Sequence, residues 1–125
     1  MMHLGEVCLL TNDVPRLAAF YRTLLDLPAQ ESNPVHDTIL PQEPMLTVYN
    51  DGQPRQPGQS ITLAFTVEDI HAAHARLLAM HADILEPPTQ RPWGAINMIL
   101  RDPDGNIINL RQLPRSKRPL SIPNS

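Results

Sequence analysis

Two side chains near the start of the chain carry groups that could do chemistry. Glu6 supplies a carboxylate and Cys8 a thiol, two positions apart in a hydrophobic stretch. The carboxylate suits a general acid or base, a counter-charge for a cationic ligand, or a hydrogen-bonded group at the rim of a pocket. A thiol becomes a nucleophile only beside a base or cation, and its sequence neighbours offer Cys8 neither. We therefore interpret Cys8 as a packing residue and leave all three roles of Glu6 open.

The surroundings of Glu6 recur once along the chain. Residues 6–14 match residues 62–70 in hydrophobic pattern, at a constant offset of 69 − 13 = 56. Thr62 is therefore the counterpart of Glu6. Because side chains at i and i+2 share one face of a strand, Glu6 and Cys8 are predicted to share a face, and so are Thr62 and Thr66.

The strands and helices that position these residues are predicted in the same order in both halves of the chain. Asp13 and Asp69 stand where a helix N-cap belongs, since a short carboxylate accepts hydrogen bonds from the first free amides. Each helix follows a strand and precedes short strands broken by turns. The predicted later strands are Leu27–Ser32, Asp37–Leu40 and Met45–Asn50 in the first half, and Ile84–Leu85, Ala95–Arg101 and Ile107–Gln112 in the second. The pattern predicts an α+β fold of two βαβββ modules.

The boundaries follow from the repeat and from the prolines. We expect one domain over residues 1–113, with module one at 1–52, a linker at 53–59 and module two at 60–113. A proline-rich basic tail follows at 114–125. Within the second module, the Asp102–Gly105 sequence DPDG predicts a tight hairpin turn, because proline fixes one dihedral and glycine supplies a positive φ.

An aromatic residue and three histidines complete the candidates. Trp93 precedes the penultimate predicted strand, where its ring either faces a ligand or packs in the core or a dimer interface. His71, His74 and His81 lie on the second helix, but they lack carboxylate or cysteine companions at metal-ligand spacing. We therefore interpret the histidines as a solvated helix face rather than a metal site.

Composition removes several classes of function. The chain has 125 residues, 42% apolar and 18% charged, which predicts one folded domain. Its net charge of 10 − 13 = −3 offers no broad basic surface for nucleic acid. No apolar run approaches the roughly 20 residues of a membrane helix. The single cysteine suits a reducing compartment, so we expect a cytoplasmic protein without nucleic-acid or membrane partners.

Three stretches together resemble the glyoxalase, bleomycin-resistance and ring-cleaving dioxygenase superfamily, also called vicinal oxygen chelate proteins. They are Thr11–Val14 leading into Ala19–Leu25, then Phe65–Ile70, and then Trp93–Gly94 leading into Arg101–Leu110. The resemblance implies curved mixed sheets that enclose a cavity, and often a homodimer that completes it.

The resemblance also implies where metal ligands would lie. Metal-using members place His or Glu on the first and last strands of each module, positions that fall here on Glu6, Thr62 and Asn109, with Leu46 or Thr47 as the fourth. Only Glu6 is a credible ligand, because transition metals favour imidazole, thiolate and carboxylate donors. The expected metal ligands are thus largely missing, and no metal and no cofactor is expected.

Our leading expectation is a metal-independent protein that binds or sequesters a small, possibly cationic molecule, like bleomycin-resistance proteins. Its ligand-binding residues would be Glu6, Cys8, Thr62, Thr66, Trp93 and Asn109, and it would be homodimeric. The alternative is a glyoxalase- or dioxygenase-like lyase or isomerase that uses Glu6 as its catalytic residue with a metal or a proton relay. A purely structural or regulatory partner is the third possibility.

Overall fold

The computed structural model describes residues 4–56 and 61–114. Within them the chain forms seven strands and two helices in the order β-α-β-β-β-α-β-β-β. These elements are β1 (Glu6–Leu10), α1 (Val14–Leu24), β2 (His36–Leu40), β3 (Met45–Tyr49), β4 (Thr62–Thr66), α2 (Ile70–Ala79), β5 (Asp83–Gln90), β6 (Ile96–Arg101) and β7 (Ile107–Gln112). Residues 57–59 of the predicted linker, and the predicted tail beyond Pro114, lie outside the described residues.

The strands form two mixed sheets, which confirms the predicted α+β class. The first sheet has the order β1-β3-β2, and the second the order β4-β7-β6-β5. In each sheet the first strand of the module runs parallel to the last strand, and the remaining pairs are antiparallel. The two sheets therefore share this pattern of pairing, although the second sheet has one strand more than the first.

Two compact units contain these sheets. The first unit holds the described residues up to position 56 together with the loop Asp102–Asn106. The second holds residues 61–101 and 107–114. The hairpin loop thus belongs to the first unit, while the two strands it joins belong to the second.

Both helices begin where the sequence predicts. The Asp13 carboxylate accepts a hydrogen bond from the backbone nitrogen of Arg16 at 3.2 Å. The Asp69 carboxylate accepts bonds from the nitrogens of His71 and Ala72, each at 3.1 Å. Each aspartate satisfies amides that have no partner inside the helix, which fixes the point at which the helix leaves the preceding strand.

Side chains along β1 and β4 alternate between the more buried and the exposed face of each sheet. Leu9 is 3% exposed, whereas its neighbour Leu10 is 42% exposed. In the second unit Leu63 and Phe65 are half-buried, while Thr62, Ala64 and Thr66 are exposed. Helix α1 packs on β2 and β3, and α2 packs on β5, β6 and β7. One face of each sheet is therefore apolar and covered, and the other is left for polar side chains.

The predicted strand Leu27–Ser32 does not form, so module one has two strands after its helix rather than three. The Arg22 side chain, which is 4% exposed, explains the difference. Its guanidinium donates to Ser32 Oγ at 3.0 Å and to the carbonyl of Thr38 at 3.3 Å, and lies 2.8 Å from the Asp37 carboxylate. A buried cation needs such partners, and the irregular segment supplies one of them where a strand would have formed a ladder.

The carboxylate in this cluster is tuned to stay charged. Burial alone would raise the pKa of Asp37. Hydrogen bonds from Arg22 and Ser32, together with the charge of Arg22, outweigh burial and hold that pKa below its usual value of 3.8. The ion pair is therefore complete at neutral pH.

Strand β5 is longer than predicted, because it continues through Pro87 and Pro88 to Gln90. It lies at an edge of the sheet, where a proline need not donate to a second neighbour. Its pairing with β6 is irregular between Ile84 and Glu86 and again between Glu86 and Thr89. The prolines are accommodated at these irregularities.

The predicted hairpin turn is present and is built around a buried carboxylate. Asp102 is 4% exposed, and its oxygens accept bonds from the nitrogens of Asp104 and Asn106, at 2.9 and 2.8 Å, and from Asn106 Nδ2 at 2.7 Å. The hydroxyl of the fully buried Tyr21 donates the fourth bond, at 2.6 Å. Burial, followed by the charge of Asp102, raises the pKa of Tyr21 far above its usual value, so the phenol keeps its proton.

We expect Leu9→Ala to lower the free energy of unfolding by about 2 to 5 kcal/mol, because it leaves a cavity on the buried face of the first sheet. Leu10→Ala is the matched control, since Leu10 is the next residue but points to the open face; its effect should stay within about 0.5 kcal/mol. Urea denaturation of both variants measures the difference. Equal losses of unfolding free energy in the two variants would show that the buried and open faces of β1 are wrongly assigned.

We expect Tyr21→Phe to lower the free energy of unfolding by about 1 to 3 kcal/mol, because a buried carboxylate loses one of its four donors. Tyr49→Phe removes the same hydroxyl from an exposed strand residue and should change stability by less than about 0.5 kcal/mol. Thermal and chemical denaturation of the two variants compares them. A Tyr21→Phe protein as stable as the Tyr49→Phe protein would contradict the role of the buried bond.

Candidate functional site

The open face of the first sheet carries the carboxylate and the thiol that the sequence singles out. Glu6 and Cys8 are both exposed and lie on the side of β1 away from its helix. Their partners on β3 are Met45 and Thr47 respectively. The structure therefore places Glu6 and Cys8 on one polar face, as the alternation predicts.

Glu6 is held by a neighbouring hydroxyl. Thr47 Oγ1 donates a hydrogen bond of 2.6 Å to Glu6 Oε2, and Thr47 itself is 1% exposed. Thr47 pairs with Cys8 as Asn109 pairs with Ala64 in the second sheet. Since 64 − 8 = 56 is the offset of the repeat, Thr47 rather than Leu46 occupies the closing-strand position of module one.

His36 and Tyr49 lie on this same face and were missed by sequence reasoning. They are register partners on β2 and β3, with ring centroids 6.1 Å apart at an interplanar angle of 61°. Leu10 pairs with the other side of Tyr49, so the three form a row across the sheet. Turn length alone would not have predicted this pairing, because the register shifts between Thr38 and Leu40, and Leu40 pairs with Leu46 rather than Met45.

The open face of the second sheet is polar but has a different chemistry. Thr62 and Thr66 are exposed on β4, and Asn109 is half-buried on β7. Arg111, also on β7, pairs with Thr66 and donates from Nε to Thr66 Oγ1 at 3.0 Å. This face therefore presents hydroxyls, an amide and an exposed guanidinium that has no ion-pair partner among the described residues.

Asn97 on β6 joins this face and was also missed. Its Nδ2 donates to Asn109 Oδ1 at 3.3 Å. Its own Oδ1 is shielded from solvent and has no hydrogen-bond partner within the described part of the chain. The antiparallel register, with Asn97 opposite Arg111 and Asn109 opposite Ile99, makes the two asparagines diagonal neighbours on one face. The DPDG turn fixes this register, so the turn and the parity of β6 were the available signal.

Trp93 lies in the turn between β5 and β6 and is 65% exposed. The turn is closed by bonds from the nitrogen of Arg91 to the carbonyl of Ala95, and from Gly94 back to Arg91. Gly94 has φ 98°, a conformation that glycine adopts without strain. Trp93 is therefore not a core residue, and its predicted roles at a ligand or a dimer interface stay predictions.

The three histidines predicted for the second helix do not all lie on it. His71 and His74 are on α2, whereas His81 follows the helix end at Ala79 and has φ 56°. His71 and His81 are exposed and His74 is half-buried. Throughout residues 4–56 and 61–114, no three His, Cys, Asp or Glu side chains are grouped so that they could hold a metal ion. Neither described helix is long and apolar enough to cross a membrane.

The donors at the superfamily's ligand positions do not fit a transition metal. Glu6 supplies one carboxylate, already bonded to Thr47, and Asn109 supplies an amide oxygen already bonded to Asn97. Thr62 supplies a neutral hydroxyl. Imidazole, thiolate or further carboxylate would be needed for a strong site.

A charged cleft of about 280 Å³ opens at the start of α1 in the first unit, away from the predicted residues. Arg16 lies 2.8 Å from Asp104 and 3.6 Å from Asp13, and Arg55 contacts Asp51. Each cation in the cleft is therefore neutralised by an aspartate of the same unit.

Comparison with known proteins agrees with the duplicated fold. Residues 3–110 match the family model of the Glyoxalase/Bleomycin resistance protein/Dioxygenase superfamily. The chain belongs to this superfamily. Among curated proteins, none matches the chain.

Solved structures show the same fold. A glyoxalase-related enzyme from Fulvimarina pelagi is 21% identical with a TM-score of 0.77, covering 100% of this chain and 96% of its own. A glyoxalase/bleomycin resistance protein/dioxygenase from Nocardioides is 20% identical, with a TM-score of 0.71 and coverage of 98% and 90%. TioX from Micromonospora sp. ML1 is 20% identical, with a TM-score of 0.68 and coverage of 86% and 95%. At these identities the likeness concerns the fold alone.

Proposed function

We propose that the protein binds or sequesters a small molecule without a metal ion. The observation that carries the proposal is the state of the superfamily's ligand positions. One carboxylate, Glu6, is occupied by a hydroxyl donor, and Asn109 is occupied by a second amide. A carboxylate and a carboxamide that each make one such bond keep further donor or acceptor capacity, which an organic ligand can use.

The chemistry of the open faces supports a polar ligand with a positive group. Glu6 is exposed, and the described residues offer it no cationic partner. Cys8 lies beside it, while Thr62, Thr66 and Asn109 provide hydrogen-bonding groups on the second sheet. The exposed Trp93 ring offers a surface on which a cation or a planar group stacks.

The setting of this activity is part of the proposal. We propose a cytoplasmic homodimer that has neither nucleic-acid nor membrane partners. Each sheet ends in edge strands, and Leu85 on edge strand β5 is exposed, which supports a second copy as the cover for this surface.

Elemental analysis of protein purified without chelators tests metal independence. We expect well under one transition-metal ion per chain, and unchanged ligand affinity after treatment with a chelator. The reason is that one carboxylate, one hydroxyl and one amide are a weak donor set. About one zinc, nickel, iron or manganese ion per chain would overturn the proposal in favour of a metal-dependent lyase or isomerase.

Glu6→Gln should weaken the binding of a cationic ligand, for which metal-free bleomycin is a suitable probe. The substitution keeps the shape and the acceptor for Thr47 but removes the charge. We expect a loss of about 1 to 3 kcal/mol, between an exposed ion pair and a charged hydrogen bond. Isothermal titration calorimetry measures it.

Glu31→Gln is the matched control, because Glu31 is an exposed carboxylate of the irregular segment in the same unit. It should bind the probe as the wild type does. Trp93→Ala should weaken charged and neutral ligands alike. Unchanged bleomycin affinity in Glu6→Gln would show that Glu6 is not a counter-charge.

A further inference from the structure

We propose that Asn97 and Asn109 form an edge that recognises an amide group, such as a carboxamide, lactam or imide, in the ligand. The inference rests on the proposed function, because Asn109 lies among the proposed ligand-binding residues. It adds Asn97, and it assigns a chemical class to the group that this face binds. The same edge would discriminate against ligands that lack an N–H.

The pair is placed by two neighbouring antiparallel strands. Asn97 lies opposite Arg111, and Asn109 lies opposite Ile99, so the two amides sit diagonally on the open face. Diagonal neighbours on a sheet are within reach of polar side chains. The bond between them, from Asn97 Nδ2 to Asn109 Oδ1, measures 3.3 Å.

Counting hydrogen bonds shows what remains for a ligand. A carboxamide has two N–H donors and a carbonyl acceptor. The single bond between the pair uses a donor of Asn97 and the acceptor of Asn109. The Asn97 oxygen is then left without a donor, although it is shielded from solvent, and the Asn109 nitrogen has no acceptor within the described residues.

This accounting does not depend on which atom of each amide is oxygen. If both amides are turned over, Asn109 donates to Asn97, and the pair again leaves one acceptor and one donor. In either arrangement the pair keeps one unused acceptor and one unused donor, and the unused atom of Asn97 is the one shielded from solvent. Rotation of Asn97 about its Cβ–Cγ bond turns the shielded atom toward the open side, at the expense of a bond that is already long.

A cis amide group is the complement of such an edge. Its N–H donates to the Asn97 carbonyl while its own carbonyl accepts from the Asn109 nitrogen. A buried carbonyl without a donor is unfavourable, so the ligand's N–H relieves an existing deficit. Ile99, directly opposite Asn109 and half-buried, offers an apolar contact for the carbon skeleton of a lactam ring.

The positive charge of the neighbouring Arg111 makes a cationic ligand group unfavourable at the asparagine pair. Arg111 is exposed, its Nε is used by Thr66, and it pairs across the strands with Asn97. Its positive charge disfavours an ammonium or amidinium beside the two amides. A neutral amide carries no such charge and therefore fits this face.

The test compares 2-piperidone, a six-membered lactam, with N-methyl-2-piperidone, which lacks the N–H. We expect the lactam to bind at least about tenfold more tightly, since one hydrogen bond separates the two probes. Titrations followed by NMR should shift the side-chain amide signals of Asn97 and Asn109. Affinities within threefold of each other, or no shift of these signals, would overturn the proposal.

A substitution should reverse the preference. In Asn109→Asp the carboxylate still accepts from Asn97, but the outward group becomes an acceptor, so the edge carries two acceptors. We expect its affinity for 2-piperidone to fall about tenfold and its affinity for acetamidinium to rise about tenfold. Asn97→Asp produces the same two-acceptor edge and replaces the first variant if that one fails to fold.

Gln90→Leu is the control, because Gln90 pairs with Ile96 and so lies on the opposite face of the same sheet. It should bind both probes as the wild type does. An aspartate variant that keeps the lactam preference of the wild type would overturn the amide edge. The proposed function is tested separately. A stoichiometric metal ion would overturn metal-independent binding. Equal affinities for 2-piperidone and N-methyl-2-piperidone, in protein that is metal-free and binds bleomycin, would overturn the amide edge alone.

Discussion

The placement of the polar residues in the second sheet depends on one buried carboxylate. Asp102 accepts four hydrogen bonds within the β6–β7 turn and from Tyr21, so the length and shape of that turn are determined. The turn in turn sets the register that pairs Arg101 with Ile107. A register shifted by one residue would move Asn109 to the helix-covered face. The arrangement of side chains on the open face of the second sheet therefore depends on a buried carboxylate in the turn that joins two of its strands.

Much of this fold could be predicted because its signals are local. A helix cap, an alternating strand and a DPDG turn each act within a few residues. Because the chain repeats at an offset of 56 residues, the same signals predicted the strand and helix of both halves. The strand expected at Leu27–Ser32 failed for a non-local reason. Arg22 lies on the preceding helix, and its buried guanidinium takes partners from Ser32 and Asp37. Periodicity within the segment contains no trace of that cation, so the sequence pattern predicted a strand there.

The candidate site divides in the same way. The alternation along a single strand was enough to place Glu6 and Cys8 on one face of β1, and Thr62 and Thr66 on one face of β4. No neighbouring strand had to be known. His36 and Asn97 were missed because their importance comes from what lies across the sheet. His36 meets Tyr49 and Asn97 meets Asn109 only once the strand register is known. Cross-strand pairs of this kind require the turn lengths, which the sequence suggests but which irregular pairing, as in β2 and β5, can alter.

The two modules share a topology but have diverged in the chemistry of their open faces. The first carries a carboxylate, a thiol and an aromatic row, and the second carries paired amides, hydroxyls and a guanidinium. At equivalent positions Thr47 and Asn109 both bond to a neighbouring side chain, Glu6 in one sheet and Asn97 in the other. A metal would require both positions to supply strong donors to one ion. The two open faces instead carry hydrogen-bonding residues of different chemistry, so the repeat kept its strand pairing while the side chains at equivalent positions changed.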